Sequence, residues 1–498
     1  MQLAEGVRSS LFLCLMALVV LSGCTTSPEK RIEYGAVTSH PLATQAALRI
    51  LDNGGTAADA AVAASAVLSV VRPDTAPMGG GQLWLIAPPD QPPYYLDALP
   101  ELPDDLFSAL PKSVQPAIPG TWAGWDALTA AHGQLPRTTL YSDALKLAEK
   151  GVPGEGARPA LARFFKALRI RGRAGVYEGP FAQALSQAVI AAGGYWQADE
   201  LKSYRVQRHA ARQVRTEEGG DGIWYTPPPA ASRAGVDLAT TAVLMQATPE
   251  TLPLSTRLAL VTHLQADVWP DSPLNSMLHA SLPVSREYLA PHLEELDDWL
   301  EAPPPRPERA PPGAGNCRRT AAGLVVQDRQ GLRVAAVYWT PGRTHQAVDT
   351  GSLGLTLFDT STDASPLLDW LSRNTHLPTH NAPLIRESAS GSALIAVSHP
   401  QSVGILLWTL EHAWTTNQPM RLWQSRSPLC TVSGRWLQAR PPVQALSAQL
   451  APVGLGVVAA PVRSELDALV QHERKLRLQP LTESARDQGR AITRILDR

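Results

Sequence analysis

The run Cys317-Arg318-Arg319-Thr320-Ala321-Ala322-Gly323-Leu324-Val325-Val326 decides how this chain is read. It follows Glu301–Asn316, which carries six prolines and reads as an exposed, extended loop. Two β-rich stretches come after it, Leu324–Gln327 and Leu332–Trp339, joined by a hairpin turn around Arg329-Gln330-Gly331. Thr320 therefore stands at a loop-to-strand junction. If the Arg319–Thr320 bond breaks, Thr320 gains a free α-amine that can serve as base for its own hydroxyl. An ordinary strand-start threonine fits the same place, so other parts of the chain must arbitrate. Arg318 and Arg319 read as solvated loop charges or a proteolysis-sensitive pair, with no catalytic role.

Working outward, helical spacing covers His40–Leu51, and Asn53-Gly54-Gly55 stops it. Thr56-Ala57-Ala58-Asp59 reads as a capping box opening the helix Ala57–Val71, whose all-round Ala/Val content predicts burial. Met78-Gly79-Gly80-Gly81 is a tight turn of structural glycines feeding the strand Gln82–Ala87. It lacks the Lys-Ser/Thr ending of a phosphate cradle. Pro119-Gly120-Thr121-Trp122-Ala123-Gly124 opens another helix, and Pro227-Pro228-Pro229 makes a rigid corner after a strand at Gly222–Tyr225. Downstream, strands are expected at Leu353–Phe358, Ser392–Ser398 and Gly454–Ala460, with helices at Val403–Thr415 and Ser464–Lys475. Strands layered with helices predict an α/β or α+β sandwich.

A 498-residue chain with 44% apolar and 18% charged residues belongs to a globular protein with a large core. Its net charge of −1 gives no basic field for nucleic acid. Leu11–Leu21 is an apolar run of signal-peptide length, short for a bilayer span, so residues 1–23 read as a targeting segment. It ends in Leu21-Ser22-Gly23-Cys24, which resembles a bacterial lipobox with Cys24 acylated. Acyl chains there would anchor the protein to a membrane without a transmembrane helix. Thr25 follows the cysteine in place of Asp, which favours the outer membrane of a Gram-negative cell, with the protein facing the periplasm. Residues 24–34 then form a tether. Cys14 leaves with the signal, and whether Cys317 and Cys430 meet in a bridge stays open. Without CxxC spacing or clustered histidines no metal is expected, and no motif requires a cofactor.

Several segments, in order, carry a family resemblance: Gly35-Ala36-Val37, Ala43-Thr44-Gln45, Gly54-Gly55-Thr56-Ala57-Ala58-Asp59-Ala60-Ala61-Val62-Ala63, Met78-Gly79-Gly80-Gly81, Pro119-Gly120-Thr121-Trp122-Ala123-Gly124 and Pro227-Pro228-Pro229. Over Gly35–Gly235 the chain resembles the γ-glutamyltransferase (glutathione hydrolase) family, of the N-terminal-nucleophile hydrolase fold. The C-terminal third matches more weakly. The resemblance implies an αββα four-layer sandwich. It implies a precursor cut into a large region, 35–319, and a small region, 320–498, that share one core. It also implies a small γ-glutamyl or related amide substrate, whose acyl group passes to water or an amine. A threonine hydroxyl attacks the γ-amide, backbone N–H groups hold the oxyanion, and an Arg and an Asp bind the α-carboxylate and α-amine of the glutamyl unit.

Carried over residue by residue, Thr320 takes the nucleophile position and Asp363, in Thr360-Ser361-Thr362-Asp363, the amine-binding one. Leu99 stands where the carboxylate-binding Arg belongs, Ala321 where the family has a threonine, and Pro341 where it has an asparagine. The Gly-Gly of the oxyanion loop falls near His399-Pro400-Gln401-Ser402, which leaves the backbone N–H groups of Gln401 and Ser402 as the donors. A leucine cannot pair bidentately with a carboxylate. A lost oxyanion donor costs roughly 2.7–4 kcal/mol. Three readings stay open: a working γ-glutamyl hydrolase or transferase, a non-catalytic binding or scaffolding lipoprotein, and an amidase with a different acyl substrate.

Overall fold

The computed structural model describes residues 34–103, 116–152, 154–194, 196–216, 221–268, 287, 289–309, 321–340, 347–359, 376–377, 379, 381–398, 403–415, 430–433, 435–439, 442–459, 465–472, 475–480 and 492–494. The strands up to the 310–320 segment are β1 (Tyr34–Thr38), β2 (Gln82–Ala87), β3 (Tyr94–Ala98), β4 (Gln207–Ala210), β5 (Arg212–Val214) and β6 (Ile223–Thr226). After it come β7 (Gly323–Gln327), β8 (Arg333–Tyr338), β9 (Ala347–Asp349), β10 (Thr356–Phe358), β11 (Ala382–Ser388) and β12 (Gly391–Ser398). The last are β13 (Cys430–Ser433), β14 (Trp436–Ala439), β15 (Gly456–Ala459), β16 (Glu465–His472), β17 (Lys475–Pro480) and β18 (Ile492–Arg494). Two large sheets result, in the orders β18-β1-β7-β8-β2-β3-β4 and β17-β16-β12-β11-β6-β5. Every pairing in both is antiparallel.

The period-two alternation of strand side chains builds the layers. On β8, Val334, Ala336 and Tyr338 face an outer helical core, while Ala335 and Val337 enter a core between the sheets. On β7, Leu324 and Val326 go outward and Val325 inward. On β12, Leu394 and Ala396 join the inter-sheet core, while Ala393, Ile395 and Val397 face the opposite helical core. The helices Pro41–Asp52, Ala57–Val71 and Thr121–His132 cover the first sheet, and Ala234–Ala247 and Gly404–Thr415 cover the second. The molecule is thus an αββα sandwich, as the resemblance implied. Strands this apolar on both faces are buried on both faces, which requires helices outside each sheet.

The helix Ala57–Val71 is locked in place by polar groups. Its capping box forms as expected: the Asp59 amide donates to Thr56 Oγ1 at 3.2 Å and the Thr56 amide to Asp59 Oδ2 at 3.1 Å. The Ala57 amide also donates to Asp328 Oδ2, at 2.8 Å, in the β7–β8 turn. Midway along, Ser65 and Ser69 meet the buried Tyr338 hydroxyl at 2.7 and 2.8 Å. The helix is therefore tied at two levels to the hairpin that follows position 320.

On the outer face of the second sheet lies a buried ion pair. Arg386 of β11 donates Nε to Glu411 Oε2 at 2.6 Å and Nη2 to Oε1 at 2.8 Å. Trp224 Nε1 adds a third bond to Oε2, at 2.7 Å, and the guanidinium lies 4.6 Å from the Trp414 ring centre.

The expected helix at Ser464–Lys475 is not formed. Glu465–His472 is instead β16, paired with β12 from Gly391↔His472 to Ser398↔Glu465 and with β17 on its other side. Leu466, Leu469 and Val470 carry helical spacing, but two flanking ladders satisfy this backbone, and tertiary pairing overrides local propensity. Within the expected strand Leu353–Phe358, only Thr356–Phe358 is extended, after a 3-10 turn at Gly351–Leu353.

Candidate active site

Thr320, Asp363, Gln401, Ser402, Pro341 and Cys24 lie outside the described residues. Ala321, directly after Thr320, and Ser398, three residues before Gln401, are described, and the fold brings these two together. The amide of Ala321, which follows Thr320, donates to Ser398 Oγ at 2.7 Å. Ser398 is the last residue of β12, and the segment holding Gln401 and Ser402 leaves from it. Ala322 is fixed on both sides: its amide donates to Thr75 O at 2.8 Å, and its carbonyl accepts from Tyr338 N at 3.0 Å. The Gly323 amide donates to Ser39 Oγ at 2.9 Å. Both alanines are fully buried. The start of β7 is thus clamped by β1, β8 and the end of β12, at the junction between the two sheets.

Leu99 is described. It directly follows β3, is fully buried, and belongs to the inter-sheet apolar core with Leu102, Ala117, Trp339 and Leu377. Its amide donates to Asp97 Oδ1 at 3.0 Å, and its carbonyl accepts from Tyr204 OH at 2.8 Å. Gly81 presses against it: a Cβ there would stand 2.6 Å from Leu99 Cα and also strike the Ala98 carbonyl. Gly79 approaches the Thr356 carbonyl of β10 as closely, so the glycine turn is also a close backbone crossing. Gly81→Ala should therefore cost about 1–3 kcal/mol by overpacking. Urea unfolding measures this, and an unchanged midpoint would mean that the crossing is looser than the geometry shows.

Beneath Leu99 sits a buried charge cluster that sequence reasoning missed. Asp97 Oδ1 meets His376 Nδ1 at 2.9 Å, and Oδ2 lies 3.6 Å from His209 Nε2. His376 also stacks on Tyr204, with 5.2 Å between ring centres and 3° between planes. Burial opposes the charge on Asp97. The His376 charge and hydrogen bond, the nearby His209 imidazole and the Leu99 amide outweigh it and hold the carboxyl well below its usual range. Burial likewise opposes the imidazolium of His376, but the Asp97 carboxylate, Glu101 and the Arg205 backbone raise its pKa above 6.5. No pattern of spacing marks these residues, since Asp97 and His376 are 279 positions apart.

The pair makes a pH prediction. Asp97 has a depressed folded pKa, so its contribution is present above the unfolded value of about 3.9 and is lost as pH falls through the folded one. His376 has a raised folded pKa, so its contribution is complete below about 6.5 and is lost as pH rises through the raised value. Unfolding free energy should fall with pH on the alkaline side of about 6.5, and His376→Gln should flatten that fall. A parent profile already flat there would count against the pair.

Comparison with known proteins agrees with this architecture. The family model described as Gamma-glutamyltranspeptidase matches residues 43–156 and 154–268. The oxamate amidohydrolase proenzyme of Klebsiella pneumoniae is 30% identical over 246 residues, covering 39% of this chain and 46% of that protein. The capsule biosynthesis protein CapD proenzyme of Bacillus anthracis is 28% identical over 232 residues, covering 39% and 42%. The chain thus spans about half the length of the curated relatives it matches. In fold, it is similar to the crystal structure of cephalosporin acylase from Bacillus halodurans, with TM-score 0.70 and 15% identity over 91% of this chain and 95% of that one. Residues 43–268 thus resemble the γ-glutamyltranspeptidase family, and the helix–sheet–sheet–helix layering is the fold this chain shares with its structural neighbours, that of the N-terminal-nucleophile hydrolases.

Proposed function

We propose that this protein is an amidohydrolase of the family whose acyl substrate is not a γ-glutamyl amino acid. The observation that carries this is Leu99. At the position the resemblance gives to the carboxylate-binding Arg, a fully buried leucine sits in an apolar core. Asp97 below it is already matched by His376. A substrate α-carboxylate would meet no cation at that position, at a cost of about 2–5 kcal/mol in binding. The name of the Klebsiella relative, an oxamate amidohydrolase, points away from glutamyl transfer in the same way.

In the proposed reaction the Arg319–Thr320 bond is cut first, which frees the α-amine of Thr320. The amine takes the hydroxyl proton as Oγ1 attacks the substrate amide carbon. The Gln401 and Ser402 amides receive the oxyanion. The proton passes to the leaving amine, and water then hydrolyses the acyl ester. Asp363 orients the acyl group. We also read Cys24 as lipid-modified, holding the protein at the periplasmic face of the envelope. Loss of palmitate labelling in Cys24→Ala tests that part.

The test of the main reading begins with a denaturing gel of the purified protein. Two fragments meeting at Thr320, absent in Thr320→Ala, are expected. Anilides of γ-glutamate and of an acyl group without an α-carboxylate are then compared, and the second should be cleaved with at least about tenfold higher kcat/KM. Preference for the γ-glutamyl anilide would overturn the substrate assignment. A single full-length band would favour the binding or scaffolding reading.

A further inference from the structure

The helical layer over the first sheet carries an open groove of about 640 Å³, where the end of the Thr121–His132 helix meets the last turn of the Pro159–Arg171 helix. Arg137, Arg169 and Asp126 line it, with Thr129, Leu135 and Ile170. Arg137 lies 3.5 Å from Asp126, a loose pair that leaves the two guanidinium groups in net excess over one carboxylate. Arg169 Nε is sealed from solvent and has no hydrogen-bond partner among the described residues. A buried donor left without a partner is costly. Beside it Ile170 is 75% exposed, the most exposed of the large hydrophobic side chains described.

Residues 159–173 hold five basic side chains, Arg163, Lys166, Arg169, Arg171 and Arg173, and no acidic one, in a chain of net charge −1. Lys166 pairs with Glu149 at 2.7 Å, and Arg163 and Arg173 donate to backbone carbonyls, so the groove itself rests on Arg137 and Arg169. Basic residues in a last helical turn suit the helix dipole. The dipole does not account for an isoleucine in water next to them. Arginines that converge on a groove suit phosphate oxygens, and an apolar side chain at the rim suits the start of an acyl chain.

We infer that this groove binds the phosphate of an anionic phospholipid, with Arg137 and Arg169 on the headgroup and Ile170 against the acyl region. The site is separate from the start of β7 and does not depend on the proposed amidohydrolase activity.

The test is calorimetric titration of the full chain with short-chain, monomeric phosphatidylglycerol, phosphatidylcholine and inorganic phosphate. Saturable binding of phosphatidylglycerol is expected, with phosphatidylcholine and inorganic phosphate each at least tenfold weaker. Arg137→Ala and Arg169→Ala should each weaken it about fivefold. Arg171→Ala, two residues further on and outside the lining, should change it less than twofold. Equal binding of inorganic phosphate would overturn the lipid assignment. Equal binding of phosphatidylcholine, or an Arg171→Ala loss as large as that of Arg169→Ala, would overturn the groove itself. Arg169→Lys, which keeps the charge and the helix, should bind better than Arg169→Ala, and no difference between the two would also count against the site.

Discussion

Arg386→Met is expected to remove about 3–5 kcal/mol of folding free energy. The replacement leaves Glu411 buried and stripped of its bidentate partner. Desolvation of that carboxylate is then no longer matched by a cation, which is the costly way to break a buried pair. Neutralising both sides is a different matter. Arg386→Met with Glu411→Leu should sit within about 2 kcal/mol of the parent, because apolar groups of similar volume need no partner. Urea titrations of the parent, both single variants and the double variant close a thermodynamic cycle. Single losses that add to the double one would show that the two groups are not coupled, contrary to the geometry.

Leu99→Arg should be nearly as damaging, by about 3 kcal/mol or more, since it places an unpaired cation in the inter-sheet core. The neighbouring carboxylate, Asp97, offers little relief because His376, His209 and the Leu99 amide already occupy it. Placing at 99 the arginine that the resemblance assigns there is therefore not expected to bring γ-glutamyl turnover. A Leu99→Arg protein as stable as the parent would show that this side chain reaches open space. Position 99 would then be a cleft wall, and a rise in γ-glutamyl anilide cleavage would return the carboxylate site to it.

The N-terminal architecture was legible because its signals are local. The Thr56–Asp59 cap, the all-round apolar helix, the glycine turn and the hairpin at Gly331 each follow from residues within a few positions of one another. The layered fold came from the family resemblance, and the alternation on β7, β8 and β12 shows why those strands suit it. Failure came where pairing is remote. Glu465–His472 has a helix-compatible pattern and becomes a strand only because β12 and β17 flank it. The Asp97–His376 pair, the Ser398 clamp on Ala321 and the Arg386–Glu411 pair all join distant segments, and no spacing rule points to such partners. Of the candidate site, Thr320, Asp363, Gln401 and Ser402 are positions the resemblance assigns, and they lie outside the described residues. At Leu99 the structure adds what sequence could not, a side chain buried in the inter-sheet core.

The order of the sheets has a consequence for any cut before residue 320. In the first sheet β7 and β8 lie between β1 and β2, and in the second β6 pairs with β11. Strands from either side of the break are dovetailed like the fingers of two clasped hands. Severing the covalent link would leave every ladder intact, so the halves should travel as a single particle through gel filtration. Neither half, made without the other, has a finished sheet to fold around.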